Sequence, residues 1–514
     1  MNELKIGWAS RDISTDKPVL IPGQFHARVS EGVFDPVTLT VLVIENGADS
    51  VIFMSGDVVV FRSHMLETIR SKVAKLNPEI PVEKILINAT HTHTGPDTYG
   101  EKPNMVGIGS TTPGASEISH EGIEIASSGE YYEYFSDSAA SAICEAWDKR
   151  QSGGIAYGYG FAVVAHSRRT VYFDDLSKRP GAIKNSTHGV NGCASMYGNT
   201  NDPNFSHYEA GSDPFINLLY TFDAAGKLTG AIVNVPCPSQ NSEGERKLSA
   251  SFWNETREAI RAKHGDIFIL AQSAAGGDLS PRILHYKAAE QRRYALKYGT
   301  DPAPISEYYR RKDMAERIAV ACDAVLDWAK KDIKTALPVT HLVKTVQLSK
   351  RLISDEEAQA EQVQLDNLLK TEFKKDGTPQ ERLFHDSVLL ASRNRCRRVI
   401  KRYEEQKDKP KLPMELHVVA IGEIAFASNR FELFMDFMHR IQARSPFTQT
   451  FVVQLAGVPG DDGGTYLATE RADKGRGYSA SHYCNIVSPE GGQELVEETL
   501  DGLKEIYTKH SKSE

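Results

Sequence analysis

Short β-branched runs and one helical segment alternate near the start of the chain, and this order constrains the fold most. From Thr40 the sequence reads TVLVIENGADSVIFMSGDVVVF, which predicts two strands joined by a glycine-containing turn. Residues 64–76 carry apolar side chains at helical spacing, and the apolar run ILIN then leads to a stop at Gly95-Pro96. Strand, strand, helix and strand in this order predict an α/β fold of mixed β-sheets layered with helices.

The rest of the chain extends this pattern into one predicted catalytic domain, residues 1–514. Helical spacing covers 131–150, and strand patterns lie near 154–165 and 215–235. Residues 97–128 are rich in Gly, Ser, Thr and Pro, which predicts a lid or binding loop. Two segments rich in charged residues, 286–332 and 349–410, predict exposed helical excursions on the catalytic body.

Charge and cysteine spacing narrow the function classes. The chain has 60 Lys and Arg against 68 Asp and Glu, a formal charge of −8, so nucleic acid is not the expected partner. Its six cysteines lie far apart, which predicts no disulfide scaffold and a reducing compartment. Neither a secretory apolar segment at the start nor an apolar run near 18 residues is present. We expect a cytoplasmic protein, or one whose leader has been removed, that acts on a small molecule.

The motif ATHTHTGP is the strongest chemical signal. In an extended segment side chains alternate between faces, so His91 and His93 should point to the same side. They follow a buried strand, and the carboxyl ends of strands are where open α/β sheets bind ligands. Neutral imidazole binds zinc, and a second histidine can transfer protons near neutral pH. The alternative is a histidine pair hydrogen-bonded at the end of a strand.

A second motif, AQSAAGGDLSPRI, follows another apolar run. Its small residues allow close backbone approach and place Asp278 and Ser280 on a tight turn. Ser280 could be a nucleophile or a hydroxyl that positions the substrate. The alternative is an ordinary turn that contains Asp and Ser and has no role in catalysis.

A third motif, SNRFELFMDFMHRI, marks the change from strand to helix. Asn429 followed three residues later by Glu432 fits a capping box, which would give Glu432 a structural role. The alternative is that Glu432 is a carboxylate ligand at the end of the sheet.

A fourth motif, GGTYLATERADKGRGYSASHY, surrounds two tyrosines with glycines. Tyr466 or Tyr478 could bind a metal through the phenol oxygen or donate a hydrogen bond to a developing oxyanion. Surface tyrosines are common, so either ring could equally be without a role in catalysis.

The four motifs in this order resemble neutral ceramidases, the non-lysosomal zinc amidases, over about residues 5–485. This resemblance implies the fold of their N-terminal domain and one zinc ion. It implies zinc ligands at three positions, His91, Glu432 and Tyr466. It implies catalytic or substrate-binding roles at five others: His93 for proton transfer, Tyr478 for the oxyanion, Ser280, Asp278, and Arg169 of AHSRRTVY as a substrate contact.

One departure from the family concerns the second histidine ligand. The family has it after a β-strand, where AIVNVPCPSQNSE offers Cys237 instead. A thiolate is a good zinc ligand, so Cys237 could complete the set with His91, Glu432 and Tyr466. Cys237 could also be a bystander, or a nucleophile with His93 as its base.

A second departure is that 36 residues follow Tyr478, where ceramidases carry a C-terminal β-sandwich. We therefore expect a polar substrate rather than ceramide. The resulting hypothesis is a zinc-dependent hydrolase of an amide or related bond. Two alternatives remain open: a carbohydrate-directed hydrolase of a glycoside or sugar ester on the same scaffold, and a non-catalytic binding protein with a degenerate metal site.

Overall fold

The computed structural model describes residues 3–100, 118, 121–182, 192–299, 306–460 and 465–510. Most of the loop predicted as a lid, 97–128, lies outside these ranges. The strands in chain order are β1 (Lys5–Asp12), β2 (Leu20–Ile21), β3 (Arg28–Val29), β4 (Thr38–Glu45), β5 (Ser50–Gly56), β6 (Ile85–Ala89), β7 (Gln151–Phe161), β8 (His166–Ser167), β9 (Arg169–Tyr172), β10 (Ala194–Met196), β11 (Phe205–Tyr208), β12 (Phe215–Asp223), β13 (Leu228–Val235), β14 (Phe268–Ser273), β15 (Leu279–Ser280), β16 (Val339–Ser349), β17 (Lys411–Ile421), β18 (Ile424–Ser428), β19 (Glu432–Leu433), β20 (Gln449–Val453) and β21 (Tyr466–Leu467).

The helices are α1 (Ser63–Leu76), α2 (Ser128–Asp148), α3 (Phe252–His264), α4 (Lys287–Tyr298), α5 (Ser306–Ala329), α6 (Asp355–Leu369), α7 (Pro379–Glu405), α8 (Met435–Arg444), α9 (Glu470–Gly475) and α10 (Pro489–His510), with short 3-10 turns at Val82–Lys84, Leu176–Lys178 and Lys330–Asp332. Helix α2 packs on β1 and β4, and α5 packs on β7 and β12. Helices α8 and α10 cover the smaller of two main sheets. The predicted α/β architecture of mixed sheets layered with helices is confirmed. In the described ranges, no helix is both long and apolar enough to cross a membrane.

The larger sheet has eight strands in the order β14-β13-β12-β7-β1-β4-β5-β6, with parallel pairs at its two ends and antiparallel pairs between them. It curls, so that β14 contacts β4, β5 and β6. The Asn88 side-chain amide and the Ser55 hydroxyl both donate to the Ala271 carbonyl across this contact. The curl brings the carboxyl ends of β6, β13 and β14 to one place.

The smaller sheet has the order β16-β17-β18-β20 and closes one face of the larger sheet. Apolar side chains from both sheets form one buried cluster, in which the Phe53 and Phe426 rings are 4.8 Å apart. Strand β4 buries both faces, because Leu42 belongs to this cluster and Val41 to the helix-covered core. This burial explains why the early runs are continuously apolar rather than alternating.

Helices occupy most of the two charged segments: α4 and α6 are largely exposed, whereas α5 and α7 each bury one face. Helix α5 buries Met314 and Ile318 against the large sheet. Helices α6 and α7 form a hairpin whose Arg395 guanidinium lies 3.9 Å from the Phe25 ring centre. Ser387 of α7 accepts a hydrogen bond from the Ala27 backbone at 2.9 Å. Some of their charged side chains pair with buried partners, as Arg311 does with Asp35, which charge patterning alone does not reveal.

Candidate active site

The two histidines of ATHTHTGP meet, but not along an extended strand. Strand β6 ends at Ala89, and His91 adopts a left-handed backbone with φ of 64°. The turn still brings His91 Nε2 within 3.3 Å of His93 Nε2. His91 Nδ1 donates to the Val59 carbonyl at 2.8 Å, which fixes the ring with Nε2 on the side of His93 and Glu432. Strained backbone of this kind often lies at functional sites.

The capping box predicted at Asn429 is wrong. Asn429 Oδ1 accepts from the Phe431 backbone at 3.1 Å and forms a local turn. Helix α8 begins later, at Met435, with Phe434 as its N-cap residue. Glu432 therefore lies before the helix, and its carboxylate is not used for capping.

Glu432 instead lies in β19, which pairs in parallel with β21 and Tyr466. Its Oε2 is 3.3 Å from His91 Nε2 and 3.5 Å from the guanidinium of Arg168. Burial alone would raise the pKa of Glu432, but His91, Arg168 and a hydrogen bond from Tyr466 outweigh burial and lower it. The site therefore holds a charged carboxylate beside the imidazole of His91 and the phenol of Tyr466.

Arg168 also orients a second set of polar side chains, which leads to His93. Its guanidinium donates to Gln240 Oε1 at 2.9 Å and to the Gly277 carbonyl at 2.8 Å. Because arginine only donates, the amide nitrogen of Gln240 faces the other way, where it lies 3.0 Å from His93 Nε2. His93 thus accepts at Nε2 and carries its proton on Nδ1.

The Nδ1 side of His93 faces Glu243, whose Oε2 lies 3.6 Å away. Burial, then the charges of His91, Arg28 and Arg168, lower the pKa of His93 well below its ordinary value. Gly23 packs on this ring with φ of +98°, and a Cβ there would lie 2.8 Å from the imidazole. The packing and charges around His93 therefore hold a neutral imidazole.

A cavity of about 270 Å³ opens beside these groups. Its lining residues in the described part of the chain lie in loops and in the short strands β10 and β21, and they are Gly23, Gln24, Phe25, His93, Arg168, Ser195, Met196, Tyr197, Gln240, Glu243, Tyr466, Gly477 and Tyr478. The Tyr466 and Tyr478 rings meet edge to face at 5.7 Å. Burial raises the pKa of both phenols well above the ordinary value, so each carries a proton to donate.

Comparison with known proteins gives a fold but no sequence family. No family profile and no curated protein sequence matches the chain. The neutral ceramidase structure from Pseudomonas aeruginosa matches over 98% of this chain and 74% of its own, with a TM-score of 0.65 and 15% identity. This chain has a neutral ceramidase-like fold. A structure titled as ceramidase complexed with C2 matches over 99% of this chain and 76% of its own, with a TM-score of 0.64 and 13% identity.

On this ceramidase-like fold, Arg168 rather than Arg169 faces the cavity. The side chain of Arg169 is fully buried and forms a two-point ion pair with Glu209, at 2.8 and 2.9 Å. It also donates to the carbonyl of Tyr478 at 2.8 Å. Arg169 thus holds the loop that carries Tyr478, and Arg168 lies in the gap between β8 and β9, where alternation along a strand cannot be counted.

Cys237 is not brought to the other predicted ligands. Its thiol lies 3.6 Å from the Val164 carbonyl and 3.5 Å from the Pro238 carbonyl, inside the apolar core. Burial raises the pKa of the Cys237 thiol, which disfavours both a thiolate ligand and a thiolate nucleophile. Gln240, three residues later, is the side chain of this segment that reaches the cavity.

Asp278 and Ser280 lie behind the cavity rather than in it. Asp278 Oδ1 accepts from the Met435 backbone at 3.1 Å, and burial raises the pKa of Asp278 to about 6. Ser280 is fully buried, accepts from the Arg282 backbone at 3.2 Å, and lies 3.4 Å from the Tyr197 hydroxyl. Both side chains support the walls of the site.

The small residues before Asp278 do allow the close approach that the sequence predicted. A Cβ on Gly277 would lie 2.3 Å from the Glu432 carbonyl oxygen. The backbone of Gly277 also donates to the Leu433 carbonyl at 2.8 Å. The glycine therefore fixes the strand that carries Glu432 against the end of β14.

Sequence reasoning missed several cavity residues, among them Arg168, Tyr197, Gln240 and Glu243. None stands in a motif whose spacing predicts chemistry, and Gln240 and Glu243 follow β13 in an irregular segment. Only the curl of the large sheet brings that segment beside His93. Within the described ranges, no three His, Cys, Asp or Glu side chains are grouped to hold an ion by themselves, so a metal here would also need the phenol of Tyr466.

Proposed function

We propose that the chain is a zinc-dependent hydrolase that cleaves an amide or a related bond in a polar substrate. The observation that carries the proposal is the approach of Glu432 Oε2 to Nε2 of His91 at 3.3 Å. The ceramidase-like fold supports it at the level of architecture. The ligands would be His91, Glu432 and Tyr466.

The donor spacing suits zinc. Two donors at about 2.0–2.1 Å from one tetrahedral zinc lie roughly 3.3 Å apart. His91 Nε2 and Glu432 Oε2, two of the three proposed ligand atoms, lie 3.3 Å apart. Catalytic zinc sites commonly use three protein ligands and keep one position open. When bound, zinc would supply Lewis-acid chemistry that polarises the scissile carbonyl and activates water.

The other side chains would move protons and stabilise charge. His93 would take a proton at Nε2 from water once the Gln240 amide gives up its hydrogen bond to that nitrogen, and would pass the proton to the leaving group, while Nδ1–H points towards Glu243. Arg168 would hold Gln240 and Glu432 in place from one buried guanidinium. The phenol of Tyr478 would donate to the developing oxyanion.

A second candidate is a non-catalytic binding protein with a degenerate metal site. It is favoured by the position of Cys237, which lies in the core and leaves the predicted four-ligand set incomplete. Such a protein would bind a small molecule in the cavity without turnover.

We also infer a reducing compartment for the protein. All six cysteines lie in described ranges and none is in a disulfide. Unpaired cysteines at this number are typical of proteins that fold in the cytosol.

The test is turnover by the purified full-length protein on chromogenic N-acyl, ester and glycoside substrates, before and after chelation. We expect zinc-dependent release from an N-acyl or ester substrate, and a loss of about 100-fold or more in Glu432→Gln. Glu490→Gln, at an exposed position on α10, is the matched control and should keep full activity. Turnover that survives chelation would overturn the zinc mechanism, and turnover of glycosides alone would overturn the amidase assignment.

A further inference from the structure

The size of the cavity limits what can enter it. Small-molecule pockets usually occupy roughly 300–1,000 Å³, and this cavity, at about 270 Å³, lies just below that range. It has room for one compact group of about the size of a single ring. Phe25, Tyr197, Tyr466 and Tyr478 supply flat aromatic surface around it.

One wall of the cavity is rich in fixed hydrogen-bonding groups. Arg168 and Gln240 are both at most 3% exposed and are held by each other at 2.9 Å. One carboxylate oxygen of Glu243 accepts a hydrogen bond from the Arg282 guanidinium. Its other oxygen is 3.6 Å from His93 Nδ1, which is beyond hydrogen-bond distance, so that oxygen can accept from a ligand.

The same lining is poor in aliphatic surface. Among the lining residues that the structure describes, Met196 is the one with an aliphatic side chain. Burying an alkyl chain here would remove water from Arg168, Gln240 and Glu243 without replacing their hydrogen bonds, which costs about 1–3 kcal/mol for each group. Hydroxyl groups both donate and accept, and aromatic rings pack on the apolar face of a sugar ring.

We propose that this cavity takes a compact polyhydroxylated group, of the size of one sugar or cyclitol ring, and that Glu243 selects it by accepting hydrogen bonds from its hydroxyls. The inference rests on the proposed function, because it names the part of the substrate that lies beside the scissile bond. Arg282 fixes the Glu243 carboxylate, and the second N–H of the Gln240 amide, the one not directed at His93, offers a further polar contact.

The test measures binding without turnover. The zinc-incubated full-length protein is titrated by calorimetry with glucose, galactose, arabinose, N-acetylglucosamine and myo-inositol, and with n-octanol as the alkyl probe. At least one polyol should bind saturably and more tightly than n-octanol. Its affinity should fall tenfold or more in Glu243→Ala. Glu245→Gln, exposed in the same loop, is the matched control and should bind as the wild type does.

A second variant keeps the test decisive if Glu243→Ala does not fold. Glu243→Gln retains the shape and should weaken polyol binding at least threefold. Tighter binding of n-octanol, binding of no polyol, or equal affinity in the Glu243 variants would each overturn the inference. Polyol binding without hydrolysis of any chromogenic substrate would support the inference and contradict the proposed hydrolase function. Hydrolysis of N-acyl substrates without polyol binding would support the hydrolase function and contradict the inference.

Discussion

Arg168→Met should both destabilise the protein and disable the site. The guanidinium is 1% exposed and makes two charge-assisted hydrogen bonds, to Gln240 and to the Gly277 carbonyl. Each such bond contributes about 1.5–3 kcal/mol, and Glu432 would also lose a positive charge 3.5 Å away. Since methionine refills part of the volume, we expect a loss of about 4 kcal/mol in the free energy of unfolding.

The assay is urea unfolding of the full-length chain followed by circular dichroism, with and without zinc. Removing a cation beside Glu432 favours a bound dication, so zinc should restore part of the stability that Arg168→Met loses. The kcat/KM of the zinc-loaded variant should fall by about 100-fold, because Gln240 would no longer be oriented towards His93.

Two control variants separate charge from geometry. Arg168→Lys keeps the charge but not the two-pronged donor, so it should fall between wild type and Arg168→Met. Arg246→Met, at an exposed arginine paired with Glu31, should change stability by less than about 0.5 kcal/mol. A loss below about 1 kcal/mol in Arg168→Met, with activity kept, would refute the role assigned to Arg168.

Three further predictions concern other buried groups. Hydrogen bonds to Glu357 and Glu361 outweigh burial and raise the pKa of His482, so its contribution to stability is full below about pH 6.5 and falls as pH rises through the raised pKa. Urea midpoints across this range should lose that dependence in His482→Gln, and an unchanged dependence would exclude His482 as its source. Cys237→Ser should cost about 1–2 kcal/mol and leave metal content unchanged, as measured by elemental analysis; loss of metal would restore Cys237 as a ligand. Ser280→Ala should lower kcat by less than about tenfold, because its hydroxyl lies behind the cavity, and abolished turnover would make Ser280 the nucleophile.

The sheet and helix layers were predictable because they rest on periodicity. The two strands after Thr38 and the helix Ser63–Leu76 match their apolar patterns closely. The convergence of His91 and His93 was also predictable, although the expected extended backbone is a left-handed turn. The two rings still lie side by side because contacts from other segments hold both side chains.

The errors have local physical causes. The Asn429 side chain accepts a hydrogen bond from the backbone of its own turn. The sequence pattern of a capping box therefore occurs here without a helix beginning at Asn429. Arg168 occupies the break between β8 and β9, and the ion pair of Arg169 with Glu209 holds that neighbouring side chain away from the cavity. Glu243 lies some 150 residues from His93 in sequence, and no local pattern encodes a contact made by the curl of a sheet.

The proposed function requires one zinc ion held by His91, Glu432 and Tyr466. Elemental analysis of the purified full-length protein, after incubation with zinc and removal of the excess, tests this directly. It should find about one zinc per chain in the wild type and in Cys237→Ser, and less than about a tenth of that in His91→Ala and Glu432→Ala. Near-zero zinc in the wild type, or full zinc in the His91 and Glu432 variants, would contradict it.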